Sequence, residues 1–268
     1  MFLKLLKQDF RATARLMLPV YAAAILLALF NRLSLALQDG RVESHFLYMF
    51  TQLASVLFVL TMAAIVVMSF VLMIVRFHRN YMTDEGYLMF TLPVTKGQLI
   101  WSKLLVSVFW AVVSGLVGIL ASFILSVGTD AQDVLFNLHL SRFFEPFTTG
   151  QSVVIVLVIV AAILLYLAYT YLRCYAAMAV GQSFGNHKLL LSVVFYIVFG
   201  IAESIVLVTL LSNVLTESNI INALEAASAE PFAAVMSTIG RFDVTYLILC
   251  TVYFVITYLF FRKKLNLQ

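Results

Sequence analysis

Charged side chains are scarce in this chain. Asp, Glu, Lys and Arg make up 11% of its 268 residues, apolar types make up 63%, and the mean hydropathy is +1.03. An ordinary soluble domain carries about 25% charged residues. The shortage excludes a water-soluble globular fold, because no core of this size hides so much apolar surface. A bilayer supplies the missing cover. Cysteine is almost absent. Cys174 and Cys250 lie in or beside apolar stretches, and two thiols make no disulfide framework. The four histidines, His45, His78, His139 and His187, are isolated, and no H-E-x-x-H pair exists. That argues against an intramembrane metalloprotease. No Gly-Lys phosphate loop exists either. In the segment 181–188, Asn186 and His187 separate Gly185 from Lys188.

Two further shortages narrow the class. Ionisable groups at mid-membrane are few, and the two halves of the chain show no repeat. Both argue against a secondary transporter. The net charge of +4 would suggest nucleic acid if the cations shared one face. They sit instead between long apolar runs, which reads as membrane orientation. Ser34-Leu35-Ala36 resembles a leader-cleavage site. The apolar run before it is longer than the roughly 7–15 residues of a signal h-region, and Arg32 interrupts it, so it is read as a retained span.

What is present is six apolar stretches, each near the roughly 20 residues that a spanning helix needs. They cover 17–37, 50–75, 99–127, 152–172, 189–212 and 244–261, the fourth with a continuation through 176–180. The expectation is an all-α integral membrane protein with no soluble domain. Orientation follows from Lys and Arg in the short loops. With the N-terminus inside, 13 of the 17 cations are cytoplasmic and four, Arg32, Arg41, Arg142 and Arg241, face out. Both termini are then cytoplasmic.

Residues 1–16 are too charged to span. Leu3, Leu6, Phe10 and Met17 recur at helical spacing, with Lys4, Lys7, Arg11 and Arg15 on another face. This predicts an amphipathic helix lying in the inner headgroup layer, with Pro19 at the bend into the membrane. The plainer alternative is a basic flank of the first span.

The most informative segment is 76–98. A loop that only joined two spans would be short and polar. This one is long and rich in Tyr, Phe, Leu and Met, which need a surface to bury against. Thr83 or Asp84 can cap a short helix, with Asp84 and Glu85 at its favourable end, and Pro93 closes it. Thr95 with Gln98 forms a capping-box pattern that opens the third span.

Asp84-Glu85-Gly86-Tyr87-Leu88, then Phe90-Thr91-Leu92-Pro93-Val94, Gln98-Leu99 and Ser102-Lys103, resemble the type-2 class of ATP-binding-cassette (ABC) permeases, the small exporters in particular. The motif covers about twenty residues, and the six-span layout extends the likeness over the chain. The resemblance implies a type-2 exporter-like fold with an N-terminal interfacial helix. It implies that Asp84, Glu85, Gly86, Tyr87, Leu88, Phe90 and Pro93 form a coupling helix docked on a separate ATPase subunit. Gln182, Phe184 and His187 of the second inner loop would be a smaller contact. This chain would be no enzyme and hold no cofactor, with ATP and Mg bound by the partner. A second permease subunit, identical or different, would complete the path in a bacterial cell membrane. The sparse charge in the spans favours a hydrophobic or amphipathic substrate, such as a peptide, drug or lipid. The alternatives are a membrane scaffold or signalling protein, or a secondary transporter, without an ATPase. A membrane-surface helix at 76–98 would serve either.

Two features remain. Glu203 lies about 21 Å from the inner end of the fifth span, and Arg32 lies at nearly the same depth. An intramembrane carboxylate calls for a partner. Arg32 is the candidate, and the alternative is that Arg32 snorkels outward while Glu203 is protonated or meets external water. The outer segment 213–243 holds a helix-prone stretch at 220–229 and an apolar one at 231–239. It reads as re-entrant or interfacial helices, or else as an ordinary loop.

Overall fold

A computed structural model describes residues 2–39, 45–82, 94–127, 144–184, 187–215 and 230–263. They form six helices: α1 (Phe2–Asp39), α2 (His45–Met82), α3 (Lys96–Ser126), α4 (Thr149–Gly181), α5 (Lys188–Leu215) and α6 (Pro231–Lys263). All six are long and apolar enough to cross a membrane. At 28 to 38 residues each, they measure roughly 42–57 Å, against a hydrocarbon core of about 30 Å. Leu26, Val59, Ile119, Leu157, Val208 and Val244 stay exposed, one on each helix. Lipid is the solvent that suits such faces, and the helix is the form that satisfies every backbone group internally.

Two element boundaries differ from the sequence reading. α1 runs unbroken from Phe2 to Asp39, with Pro19 inside it rather than between two helices. Its buried N-terminal positions are Leu5, Asp9, Thr13 and Met17, while Leu3 is exposed. Packing thus selects an i, i+4 row next to the apolar stripe read from the sequence. Lys4, Lys7, Arg11 and Arg15 are exposed, as an amphipathic segment requires. At the other end of the chain, residues 231–239 are the first turns of α6. Pro231 opens that helix, where its fixed φ fits and its missing N–H costs nothing. The stretch 220–229 lies outside the described residues. The fourth span continues to Gly181, as the apolar run through 176–180 predicts.

The chain divides into two compact units, residues 1–75 with 105–139 and residues 76–104 with 140–268. In the first, Ala28 of α1 and Ala121 of α3 are fully buried against Phe58 of α2. Lipid is as apolar as these side chains, so close packing of small residues holds such helices together. Polar contacts add to it. The Tyr21 hydroxyl lies 2.7 Å from Ser114 Oγ. The Ser55 hydroxyl donates to Asn31 Oδ1 at 3.3 Å. Phe10 meets Phe109 edge-on at 4.8 Å.

In the second unit, α4 packs against α5 and α6. The exposed face of α4 lies mainly in its first half, whereas Cys174–Gly181 is buried without interruption. Its start is fixed by a capping box: Gln151 N–H donates to Thr148 Oγ1, and Thr148 N–H donates to Gln151 Oε1 at 2.9 Å. Its end lies against α5. A Cβ on Gly181 would sit 2.6 Å from the Ser192 backbone nitrogen and 2.8 Å from its Cα. Backbone atoms cannot swing away, so Gly181→Ala should cost about 2 kcal/mol. The unfolding midpoint of the purified chain should then fall by roughly 4–8 °C. Gly115→Ala is the control, because its Cβ would meet nothing within 4 Å. Equal midpoints for the two variants would mean that the Gly181 crossing is looser than described here.

Candidate functional site

The coupling residues expected from the sequence, Asp84, Glu85, Gly86, Tyr87, Leu88, Phe90 and Pro93, lie outside the described residues. The residues on either side of them are anchored in the second unit. On the α2 side, Phe77 and Tyr81 are fully buried. Phe77 stacks on Tyr175 of α4, with centroids 3.8 Å apart and planes at 6°. Both Phe77 and Tyr81 also meet Phe261 of α6, at 5.9 and 5.5 Å. On the α3 side, the capping box predicted for Thr95 and Gln98 is formed. Thr95 N–H donates to Gln98 Oε1 at 3.1 Å, and Gln98 N–H donates to Thr95 Oγ1 at 3.3 Å.

The two sides are also tied to each other and to α6. The Tyr81 hydroxyl donates to the Leu99 carbonyl at 3.0 Å. Lys96 Nζ donates to the Phe261 carbonyl at 2.7 Å, near the end of α6. Ser102 and Lys103 are buried, and Lys103 Nζ lies 5.7 Å from the Tyr81 ring centroid. These two residues of the family-like motif therefore help to pack the anchor and do not present a surface. Offset and edge-on aromatic contacts add about 0.5–1.5 kcal/mol each to ordinary packing. The outcome is a buried aromatic knot formed by the residues that flank 83–93.

The second predicted contact is split by burial. Gln182 caps α4 through its backbone N–H, and its side chain is buried. Its Nε2 lies 3.4 Å from His78 Nε2 of α2. Phe184 is exposed on one side and stacks on Phe195 on the other, at 5.7 Å. His187 is exposed and adopts φ 56°, the left-handed region that few residues other than glycine visit. His78, Met82, Gln182, His187, Lys188, Leu189 and Leu190 line a common groove of about 550 Å³. The last turns of α2 thus share a wall with the 182–190 segment.

A second cluster surrounds Glu203, which is 3% exposed. Its partner is Arg173 of α4, with Nη1 donating to Oε2 at 2.8 Å. The Tyr169 hydroxyl donates to Oε2 and the Tyr253 hydroxyl to Oε1. Arg173 Nη2 donates to the Tyr196 hydroxyl, and the guanidinium carbon stands 4.1 Å from the Tyr196 ring centroid. Three helices meet here: Tyr169 and Arg173 from α4, Tyr196 and Glu203 from α5, and Tyr253 from α6. The carboxylate accepts three donors, which is what a charge in a low-dielectric site needs.

Arg173, which the sequence reading assigned to an inner loop, takes the role foreseen for Arg32. The reason is the length of α4: it carries Arg173 within the helix, one turn after Tyr169. Arg32 Nη1 is buried and makes no hydrogen bond among the described residues. Sequence reading missed the three tyrosines. Their signal was spacing, i and i+4 for Tyr169 and Arg173, and i and i+7 for Tyr196 and Glu203. Among the described residues no group of His, Cys, Asp or Glu could hold a metal. Comparison with protein-family models, with characterised proteins and with solved structures finds no match to this chain.

Proposed function

We propose that this chain is the membrane-embedded permease subunit of an ATP-driven exporter of the type-2 ABC class. ATP and Mg would be bound by a separate cytoplasmic ATPase. One observation carries the reading. Both flanks of the 83–93 segment are locked into a buried aromatic knot with α4 and α6. A loop that merely links two spans needs no such anchoring. A segment that transmits force does, because a push on it must move helices rather than bend its own base. Closure of the ATPase pair would press on 83–93, and α2, α3, α4 and α6 would receive the displacement. The exposed Phe184 offers the smaller second contact. A second permease subunit would complete the path, and the substrate would be a hydrophobic or amphipathic molecule such as a peptide, drug or lipid.

The reading requires 76–98 to face the compartment that holds ATP, which in a bacterial cell membrane is the cytoplasm. It thereby places both termini inside. Single cysteines at Lys96 and Lys188 should be shielded from an impermeant thiol reagent in intact cells and react after the membrane is opened. One at Asp133 should react in intact cells. Labelling of the Lys96 position from outside would put the coupling segment where no ATPase can reach it and would end the proposal.

A further inference from the structure

We propose that the groove lined by His78, Gln182, His187 and Lys188 binds the phosphate headgroup of an anionic phospholipid. The inference does not depend on the transport reading. The groove encloses about 550 Å³, and none of the seven lining residues found among the described residues is acidic. Its polar groups come from three places, His78 on α2, Gln182 after α4, and His187 with Lys188 at the start of α5. All four side chains offer N–H groups to an anion. Gln182 is buried, with its amide nitrogen beside His78 Nε2 at 3.4 Å, so the polar floor is held in place.

The other lining residues are apolar. Leu189 and Leu190 are exposed, and they begin the apolar run of α5 immediately after Lys188. Met82 closes the opposite wall. A cup of N–H donors with one cation, Lys188, beside exposed leucines at the end of a membrane-length helix matches a phospholipid in both parts. The phosphate meets Lys188 and the N–H donors, and the acyl chains run down the leucine face. Basic pockets between membrane helices recognise anionic headgroups by this division of labour. A free anion would use the cup and leave the leucines without a role. A soluble partner would have to cover leucines that the bilayer already covers.

The experiment follows the unfolding midpoint of the purified chain in detergent with added phosphatidylglycerol, phosphatidylcholine or inorganic phosphate. Phosphatidylglycerol near a hundredfold excess over its Kd should raise the midpoint by on the order of 5 °C. Phosphatidylcholine and inorganic phosphate should raise it little. Lys188→Gln and His187→Gly should each remove at least half of the phosphatidylglycerol shift. His187→Gly is the safer variant, because glycine takes φ 56° without strain and the turn is kept. Its midpoint in phosphatidylcholine should therefore hold. An equal shift from phosphatidylcholine, or a full shift in both variants, would overturn the proposal. An equal shift from inorganic phosphate would make the groove a free-anion site. A retained lipid shift combined with loss of a bound ATPase subunit in both variants would assign the groove to a protein partner.

Discussion

Glu203→Gln should lower the unfolding midpoint of the purified chain by roughly 6–12 °C, the equivalent of about 3 kcal/mol. The substitution leaves the Arg173 guanidinium beside a neutral amide. A guanidinium does not shed its proton, so the cation stays charged in a site with few other acceptors. Its remaining partners are the hydroxyls of Tyr196 and Tyr169, the latter at 3.4 Å. Arg173→Gln should cost less. It leaves a carboxylate that keeps two hydroxyl donors, Tyr169 and Tyr253. The double variant should recover part of the loss, because no stranded charge remains. Coupling in this cycle would be the signature of the ion pair. The same cycle with Arg32→Gln in place of Arg173→Gln should be additive. Additivity in the Arg173 cycle, or coupling in the Arg32 cycle alone, would contradict the pairing.

On the proposed function, Tyr87→Ala and Phe90→Ala should each strip most of the proposed ATPase subunit from the purified chain. A helix docked in a groove draws its affinity from a few buried aromatic anchors, worth about 2 kcal/mol or more each on truncation. That corresponds to roughly thirtyfold in Kd. Asp84→Ala and Glu85→Ala should do less, and less at high salt than at low, because exposed charges are screened. The chain itself should keep its midpoint in all four variants, since the buried knot of Phe77, Tyr81, Tyr175 and Phe261 is left intact. Tyr81→Ala is the informative contrast. It should lower the midpoint, because it empties a fully buried site and removes one of the two side-chain donors to the Leu99 carbonyl, the Ser102 hydroxyl being the other. Full ATPase retention in both aromatic variants with transport intact would show that 83–93 is not the coupling element.

The six helices were legible in the sequence because lipid demands unbroken apolar length, and length survives without any knowledge of packing. The caps were legible too. Thr95 with Gln98 is a local pattern, and local patterns need no tertiary information. What the sequence hid depends on which face of a helix meets its neighbour. The buried row of α1 passes through Leu5, Asp9, Thr13 and Met17, although a hydropathy count favours Leu3 and Leu6. Arg173 looked like a loop cation because it follows an apolar run, whereas α4 carries it into a cluster built from two other helices. Glu203 announced itself as a carboxylate in lipid, but its partner could be read only once α4, α5 and α6 were placed together. Lys103 is the reverse case. It entered the sequence reading only as part of a family-like pattern, and it is buried near the Tyr81 ring.

On the proposed function a separate ATPase drives this chain through 83–93. The composition of the complex that a tagged copy brings out of its native membranes in mild detergent tests this. A nucleotide-binding ABC subunit should be recovered in equal number to this chain. ATP hydrolysis should travel with that subunit and be absent from the permease once the subunit is removed. Recovery of the intact, folded chain with no such subunit, or hydrolysis by the chain alone, would contradict it.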